Sequence, residues 1–371
     1  MYHISTSSTS PMFTKSFYLA LLLPCLFVFS ILFVKTQWRQ SDVYIVQSEC
    51  EEFLNFLDIQ LPSVLIDLDL LKAMEREDCK VPKKPIKIAV DENHLSKPFP
   101  FRNSTLNIIY FKTTQNQDYL ELSSQLIPKN FENRKIGQLQ VPLNIKMFEE
   151  FFKRSKYIKC SNRIVERQFV KDSIPAQDSA DSLALLRDEL LQFGMLPFLS
   201  DGTLLGWYRE CSVIPHTSDM DLAVFNWEFN LNYTKHLKDY YSSNFQLIRK
   251  LGMLHDSYEL TVVPKASTRI PIDIFLMYKD EKEYYTGGMD GEGNKIKWVH
   301  KSYDPWCATD LLGHIFWVSC TPEDKLKATY GEQWYLDHPS DRYGWNTSPK
   351  NQKDHGKWSQ EEMKRVNDPF L

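Results

Sequence analysis

Between Phe198 and Phe225 the chain reads FLSDGTLLGWYRECSVIPHTSDMDLAVF, and no other stretch limits the fold as closely. MLPFLS reads as a short buried strand, Asp201-Gly202 as a turn, TLLGWYRE as a short helix and MDLAVF as a second strand. Later apolar runs, FQLIRKLG, YELTVVP and RIPIDIFLMY, have the composition of further strands in the same sheet. The fold class is therefore α/β (α+β).

The same stretch places carboxylates where chemistry is built. Strand side chains alternate between faces, so Asp219 and Asp221, two residues apart, point to the same side at one strand end. Like charges this close repel, and an oxygen-only pair suits a hard ion such as Mg2+ or Mn2+. A lone D-x-D is equally a solvated strand entry. Upstream, Asp201, Gly202 and Thr203 open a helix whose N–H groups are oriented to receive phosphate oxygens. Downstream, Asp273 sits in an apolar run and needs a cation or hydrogen-bond donors. It is a third metal ligand, a base for an attacking hydroxyl, or half of a buried ion pair with a cation such as Arg269.

A strand, a glycine-containing turn and helix, D-x-D on the next strand and a lone Asp on a later one resemble the nucleotidyltransferase fold. The wording DGTLLGWYRE…IPHTSDMDLAVF resembles the LicD and fukutin group within it, and IDIF at 272–275 and YGEQW at 330–334 extend the likeness. The resemblance implies a mixed sheet with flanking helices over 180–371, preceded by a smaller α/β region. It implies Asp219, Asp221 and Asp273 as catalytic and metal-binding residues, with Asp201, Gly202, Thr203, Gly206 and Arg209 facing the donor phosphates. The implied reaction moves a phospho-alcohol such as ribitol phosphate from a CDP-linked donor to a glycan hydroxyl on a glycoprotein.

Other residues carry weaker signals. Trp207 and Tyr208 either stack on a base or pack, His216 either approaches the metal or serves the loop, and WYLDHPSDRYGW either lines a sugar site or fills the core. GGMDGEG at 287–293 matches no phosphate-loop pattern and reads as a hairpin turn.

Compartment follows from the N-terminus. Residues 17–34, FYLALLLPCLFVFSILFV, hold no charge and are long enough to span a bilayer as a helix. No small-residue cleavage site follows, so the segment reads as an uncleaved anchor. Three N-x-S/T sequons, at Asn103, Asn232 and Asn346, favour a lumenal body: a single-pass type II protein of the Golgi or ER. Six cysteines remain outside the anchor, enough for three disulfides among fifteen possible pairings, with buried free thiols as the alternative. The formal charge of −4 argues against nucleic acid as a partner.

The expected organisation is a cytosolic tail (1–16), the anchor (17–34), an acidic leucine-rich stem (35–80), an N-terminal α/β region (81–172) and the catalytic domain (180–371). Within the last, DSLALLRDELLQFG predicts a helix capped by Asp181 or Ser182 and stopped by Gly194, with Leu183, Leu186, Leu190 and Phe193 on its apolar face. TPEDKLKATYG predicts another from Thr321 to Gly331. Two rival functions remain: a catalytically silent, membrane-held partner of another glycosyltransferase, and a nucleotidyltransferase that adds a nucleotide monophosphate.

Overall fold

Hydrophobic runs in the computed structural model become strands of two sheets. The structure describes residues 49–369 except 77–78, 81, 95–104, 168–172, 240, 267–268 and 340–341. The expected tail, anchor, first part of the stem and Asn103 lie outside the described residues. Among those described, no helix is long and apolar enough to cross a membrane.

The N-terminal part runs α1 (Glu49–Phe56), β1 (Ser63–Leu65), α2 (Leu68–Glu75), β2 (Ile86–Asp91), β3 (Leu106–Phe111), β4 (Tyr119–Leu122), β5 (Gln125–Pro128), β6 (Asn133–Ile136), β7 (Leu139–Pro142), α3 (Ile145–Lys153) and β8 (Lys156–Tyr157). The chain continues through α4 (Ala176–Gln192), β9 (Phe198–Leu199), α5 (Asp201–Glu210), β10 (Met220–Phe225), α6 (Leu231–Lys238), β11 (Phe245–Met253), β12 (Asp256–Pro264) and β13 (Ile272–Lys279). It closes with β14 (Tyr284–Met289), β15 (Asn294–His300), β16 (Cys307–Leu311), β17 (His314–Val318), α7 (Pro322–Tyr330), β18 (Gln352–Lys357), α8 (Gln360–Val366) and β19 (Asn367–Pro369).

The smaller sheet has the order β3-β2-β1-β7-β6. Residues 49–80, read from sequence as stem, carry α1, β1 and α2, and β1 occupies the middle of this sheet. The larger sheet follows β18-β15-β14-β13-β10-β9-β17-β16-β8-β5-β4, with β12 bridging β13 and β11. Strands β4, β5 and β8 thus extend the sheet built by the C-terminal half. Both faces of its centre are covered: every residue of β12 is buried, as are Leu222 to Phe225 of β10, the pattern of a strand with elements packed on both sides.

All six described cysteines pair, as Cys50–Cys79, Cys160–Cys211 and Cys307–Cys320. Disulfides persist in oxidising compartments. The helix expected from Asp181 starts earlier, at Ala176. Ser179 and Ser182 return their hydroxyls to the carbonyls of Pro175 and Asp178, so neither serine caps the end; i−4 back-bonding lets them sit inside the helix. Leu183, Leu186 and Leu190 are buried as the periodicity requires. Thr321 precedes α7 without a side-chain capping bond, and the helix stops at Gly331. GGMDGEG forms the β14–β15 hairpin, its turn held by Asp290 accepting from the N–H groups of Glu292 and Asn294.

Candidate active site

Parallel pairing of β10 with β13 sets Asp221 directly beside Asp273. On the other side of β13, antiparallel β12 sets Thr261 opposite Asp273, and Glu259, two residues earlier, points to the same face. Asp219 precedes β10 on that face. The β9–α5 turn completes the group by delivering Asp201, whose backbone is left-handed at φ +40°, a conformation few non-glycine residues hold unless their surroundings impose it.

Hydrogen bonds lock this arrangement from the backbone. Gly202 N–H donates to Asp221 Oδ2 at 2.9 Å, and Asp221 N–H donates to Thr203 Oγ1 at 2.7 Å. Asp221 therefore caps the N-terminus of α5, where the helix dipole favours a negative charge. Ser200 Oγ donates to Asp201 Oδ2 at 2.7 Å, and Thr261 Oγ1 to Asp273 Oδ1 at 2.5 Å. Thr217 Oγ1 holds the backbone carbonyl of Asp219 at 3.0 Å.

Electrostatics in this cluster are unfavourable without a cation. Burial, followed by the charges of Asp219, Asp201 and Asp273, pushes the Asp221 carboxyl well above the usual range. Burial and then Glu259 push Asp273 up to about 7. Asp201, Asp219 and Glu259 are raised too, each chiefly by burial. Arg249 opposes this, pairing with Glu259 at 2.7 Å and standing 3.9 Å from Asp273. Its side chain is 45% exposed, so water screens much of its charge. The donor set is oxygen only and carries excess negative charge, which fits a hard divalent ion. Among the described residues, no three His, Cys, Asp or Glu side chains already converge as the ligands of one ion do.

The structure distributes the remaining sequence candidates differently. Arg209 is buried and engaged by protein groups: it bonds Glu210 Oε1, Leu336 O and Asp337. It anchors the 334–337 segment. Gly206 is likewise a packing residue, because a Cβ there would meet Ile214 N and Ser212 O at 2.9 Å each. His216 bonds Asp337 at 3.1 Å. Trp207 is buried and donates to Asp310 O. Arg269 reaches Gln246; the cation near Asp273 is Arg249. The Gly202 N–H, expected to receive a phosphate, is already taken by Asp221. Glu259, Thr261 and Arg249 were missed from the sequence, although YELTVV buries a carboxylate in an apolar run just as IDIF does.

Comparison with known proteins decides the family. The model described as LicD/FKTN/FKRP, nucleotidyltransferase domain, matches residues 194–321, which contain Asp201, Asp219, Asp221, Glu259 and Asp273. The chain belongs to the LicD/fukutin family. A second model, the W02B3.4-like N-terminal domain, matches residues 49–159. The chain is 45% identical over 326 residues to uncharacterized protein W02B3.4 of Caenorhabditis elegans, covering 85% of this chain and 84% of that one. It is 40% identical over 363 residues to uncharacterized protein T07A5.1 of the same organism, covering 92% and 95%. The chain is 28% identical over 238 residues to human ribitol-5-phosphate transferase FKTN, covering 62% of this chain and 50% of FKTN. The chain thus spans about half the length of that relative.

Proposed function

We propose that this protein is a transferase moving a phospho-alcohol, such as ribitol phosphate, from a CDP-linked donor to a hydroxyl of a glycoprotein glycan. The observation that carries the reading is the pairing of Asp221 with Asp273 on adjacent parallel strands, inside a buried acidic cluster with one partly exposed cation nearby. FKTN, by its name a ribitol-5-phosphate transferase, supports the substrate class.

Asp219, Asp221 and Asp273 would hold Mg2+ or Mn2+. When bound, such an ion neutralises the charge of a diphosphate and the charge developing in phosphoryl transfer. The side chains do the rest. Asp221 orients the start of α5, and Thr261 fixes the rotamer of Asp273. In the reaction the bond from phosphorus to the acceptor oxygen forms, the bond to CMP breaks, and the hydroxyl proton passes to a carboxylate. An ion held by Asp273 would keep that carboxyl ionised, so the last role falls to a carboxylate off the ion. Neighbouring Glu259, raised above its usual range chiefly by burial, is the candidate, because a general base works best with a pKa nearer the operating pH.

Three disulfides and the sequons support a body in the secretory-pathway lumen, placed in the Golgi or ER by the anchor expected at 17–34. Asn232 is exposed, and Asn346 is partly so. The test incubates the full chain with CDP-ribitol, CDP-glycerol and CDP-choline and measures CMP release with Mg2+ or Mn2+ and with EDTA. Chelator-sensitive release from one donor is expected. No release from any donor would favour the silent-partner reading.

A further inference from the structure

A cavity of about 650 Å3 lies well away from the carboxylates, within the ~300–1,000 Å3 of small-ligand sites. Strand β9 is followed by Ser200, whose N–H bonds Asp221 O, whereas β17, parallel to β9 through Trp317 and Phe198, begins at His314. With ~3.3 Å per residue and ~4.8 Å between strands, the β16–β17 turn is about 20 Å from Asp221, at the opposite end of the sheet.

Three separate parts of the chain meet around this space: the loop before β4, the first turns of α4 and the β16–β17 turn. Their junction is tightly built. Gly313 has φ +94°, and a Cβ there would meet Asn116 O at 2.6 Å, so only glycine lets the loop approach this closely. Beside it Leu312, without that freedom, also holds a left-handed backbone at φ +53°. His314 is bridged by Asp118 at 2.7 Å and Asp181 at 2.8 Å. Buried Arg187 supports Asp118 at 2.9 Å and also bonds the carbonyl of Ile315.

The lining chemistry narrows the ligand. No Lys or Arg lines the cavity, and the charge of His314 is matched by its two carboxylates, so phosphates and nucleotides lack a partner. Amides dominate instead: Asn116, Gln117 and Gln177, with the carboxylates of Asp181 and Asp310. Gln177 Nε2 donates to Asp181 and to Leu312 O, which leaves its carbonyl oxygen as an acceptor. Asp310 Oδ1 takes the Gly313 N–H, leaving Oδ2 as an acceptor. Gln117 Nε2 donates to Tyr119 Oη at 2.7 Å, so the Asn116 amide, which gives and receives, and the Gln177 carbonyl and Asp310 Oδ2 acceptors carry the recognition; they match groups that both give and receive hydrogen bonds, as hydroxyls do.

We propose that this cavity is a second site, binding a neutral saccharide through its clustered hydroxyls and independent of the carboxylate cluster. One wall comes from the N-terminal domain and another from the nucleotidyltransferase domain, so the site requires both.

The test titrates fluorescently labelled mannotriose, maltotriose and N-acetylchitotriose against the full chain and reads anisotropy. At least one trisaccharide should bind the wild type. Asn116→Ala with Gln177→Ala should weaken that binding tenfold or more, Asp310→Asn should weaken it while keeping the Gly313 contact, and Asp221→Asn should leave it unchanged. Circular dichroism melting confirms that each variant is folded. The proposal fails if none of the three sugars binds at ~10 mM, if folded cavity variants bind like wild type, or if Asp221→Asn removes binding.

Discussion

Replacing Asp273 by Asn separates a repelling acid cluster from an ordinary buried ion pair. A tenfold change in proton affinity is ~1.4 kcal/mol. Moving this carboxyl from its usual 3.8 to about 7 therefore makes its ionised form cost the metal-free protein on the order of 4 kcal/mol. The sign follows from linkage. Below 3.8 the folded and unfolded chains are both protonated and nothing is lost; as pH rises, the unfolded chain releases its proton first, and stability falls until the folded carboxyl ionises near 7. Asn has the same shape and can still accept from Thr261, so the variant should match wild type near pH 4 and exceed it at pH 8. At ~2.1 cal/mol/K of unfolding entropy per residue, the gain corresponds to about 6 °C in a chain of this size. The assay is thermal melting of both proteins with EDTA from pH 4 to 8. Taking the difference between them cancels His314, held above its ordinary value by Asp118 and Asp181, and His300, lowered to about 3 by burial. If Asp273 instead served chiefly as the partner of Arg249, the variant would melt lower at pH 8. That result would refute the reasoning.

Asp221→Asn should reduce CMP release by about 10²-fold or more and cancel the rise in melting temperature given by Mn2+, checked by melting with and without the ion. Gly206→Ala should destabilise by about 1–3 kcal/mol through contact with the 212–214 backbone, with turnover per folded molecule unchanged. Arg209→Met should cost about 1–3 kcal/mol by removing the hydrogen bonds to Glu210, Leu336 O and Asp337, less than the loss of a lone buried cation because Arg167 still pairs Glu210 at 2.6 Å and Asp337 at 3.2 Å, measured by urea unfolding. Replacing Cys160 and Cys211, separated by 51 residues, together by Ala should remove about 4 kcal/mol, seen in the unfolding curve of the variant against wild type without reductant. Endoglycosidase treatment should shift gel mobility, and Asn232→Gln should shrink the shift.

Local sequence determined what depends on neighbouring residues. The strand–turn–helix–strand order of 198–225, the apolar face of α4 and the β14–β15 hairpin were legible because period, turn chemistry and capping act over a few positions. The D-x-D pair was legible for the same reason, since alternation along one strand puts both side chains on one face. Register between strands distant in sequence is different, because many pairings satisfy the same apolar pattern. Only tertiary structure set Asp221 beside Asp273, brought Glu259 and Arg249 to them across β12 and β11, and chose one cysteine pairing of fifteen. It also gave two candidates packing contacts that local sequence does not reveal. Arg209 and Gly206 lie in the same short helix as Asp201 and Gly202, but helical rotation turns them toward the 334–337 segment and the 212–214 loop, and that direction depends on what packs there. The sequence by itself marked Asp201, Asp219, Asp221 and Asp273 as candidates but not Glu259; the packing of β9, β10, β12 and β13 decided which carboxylates stand close enough to repel.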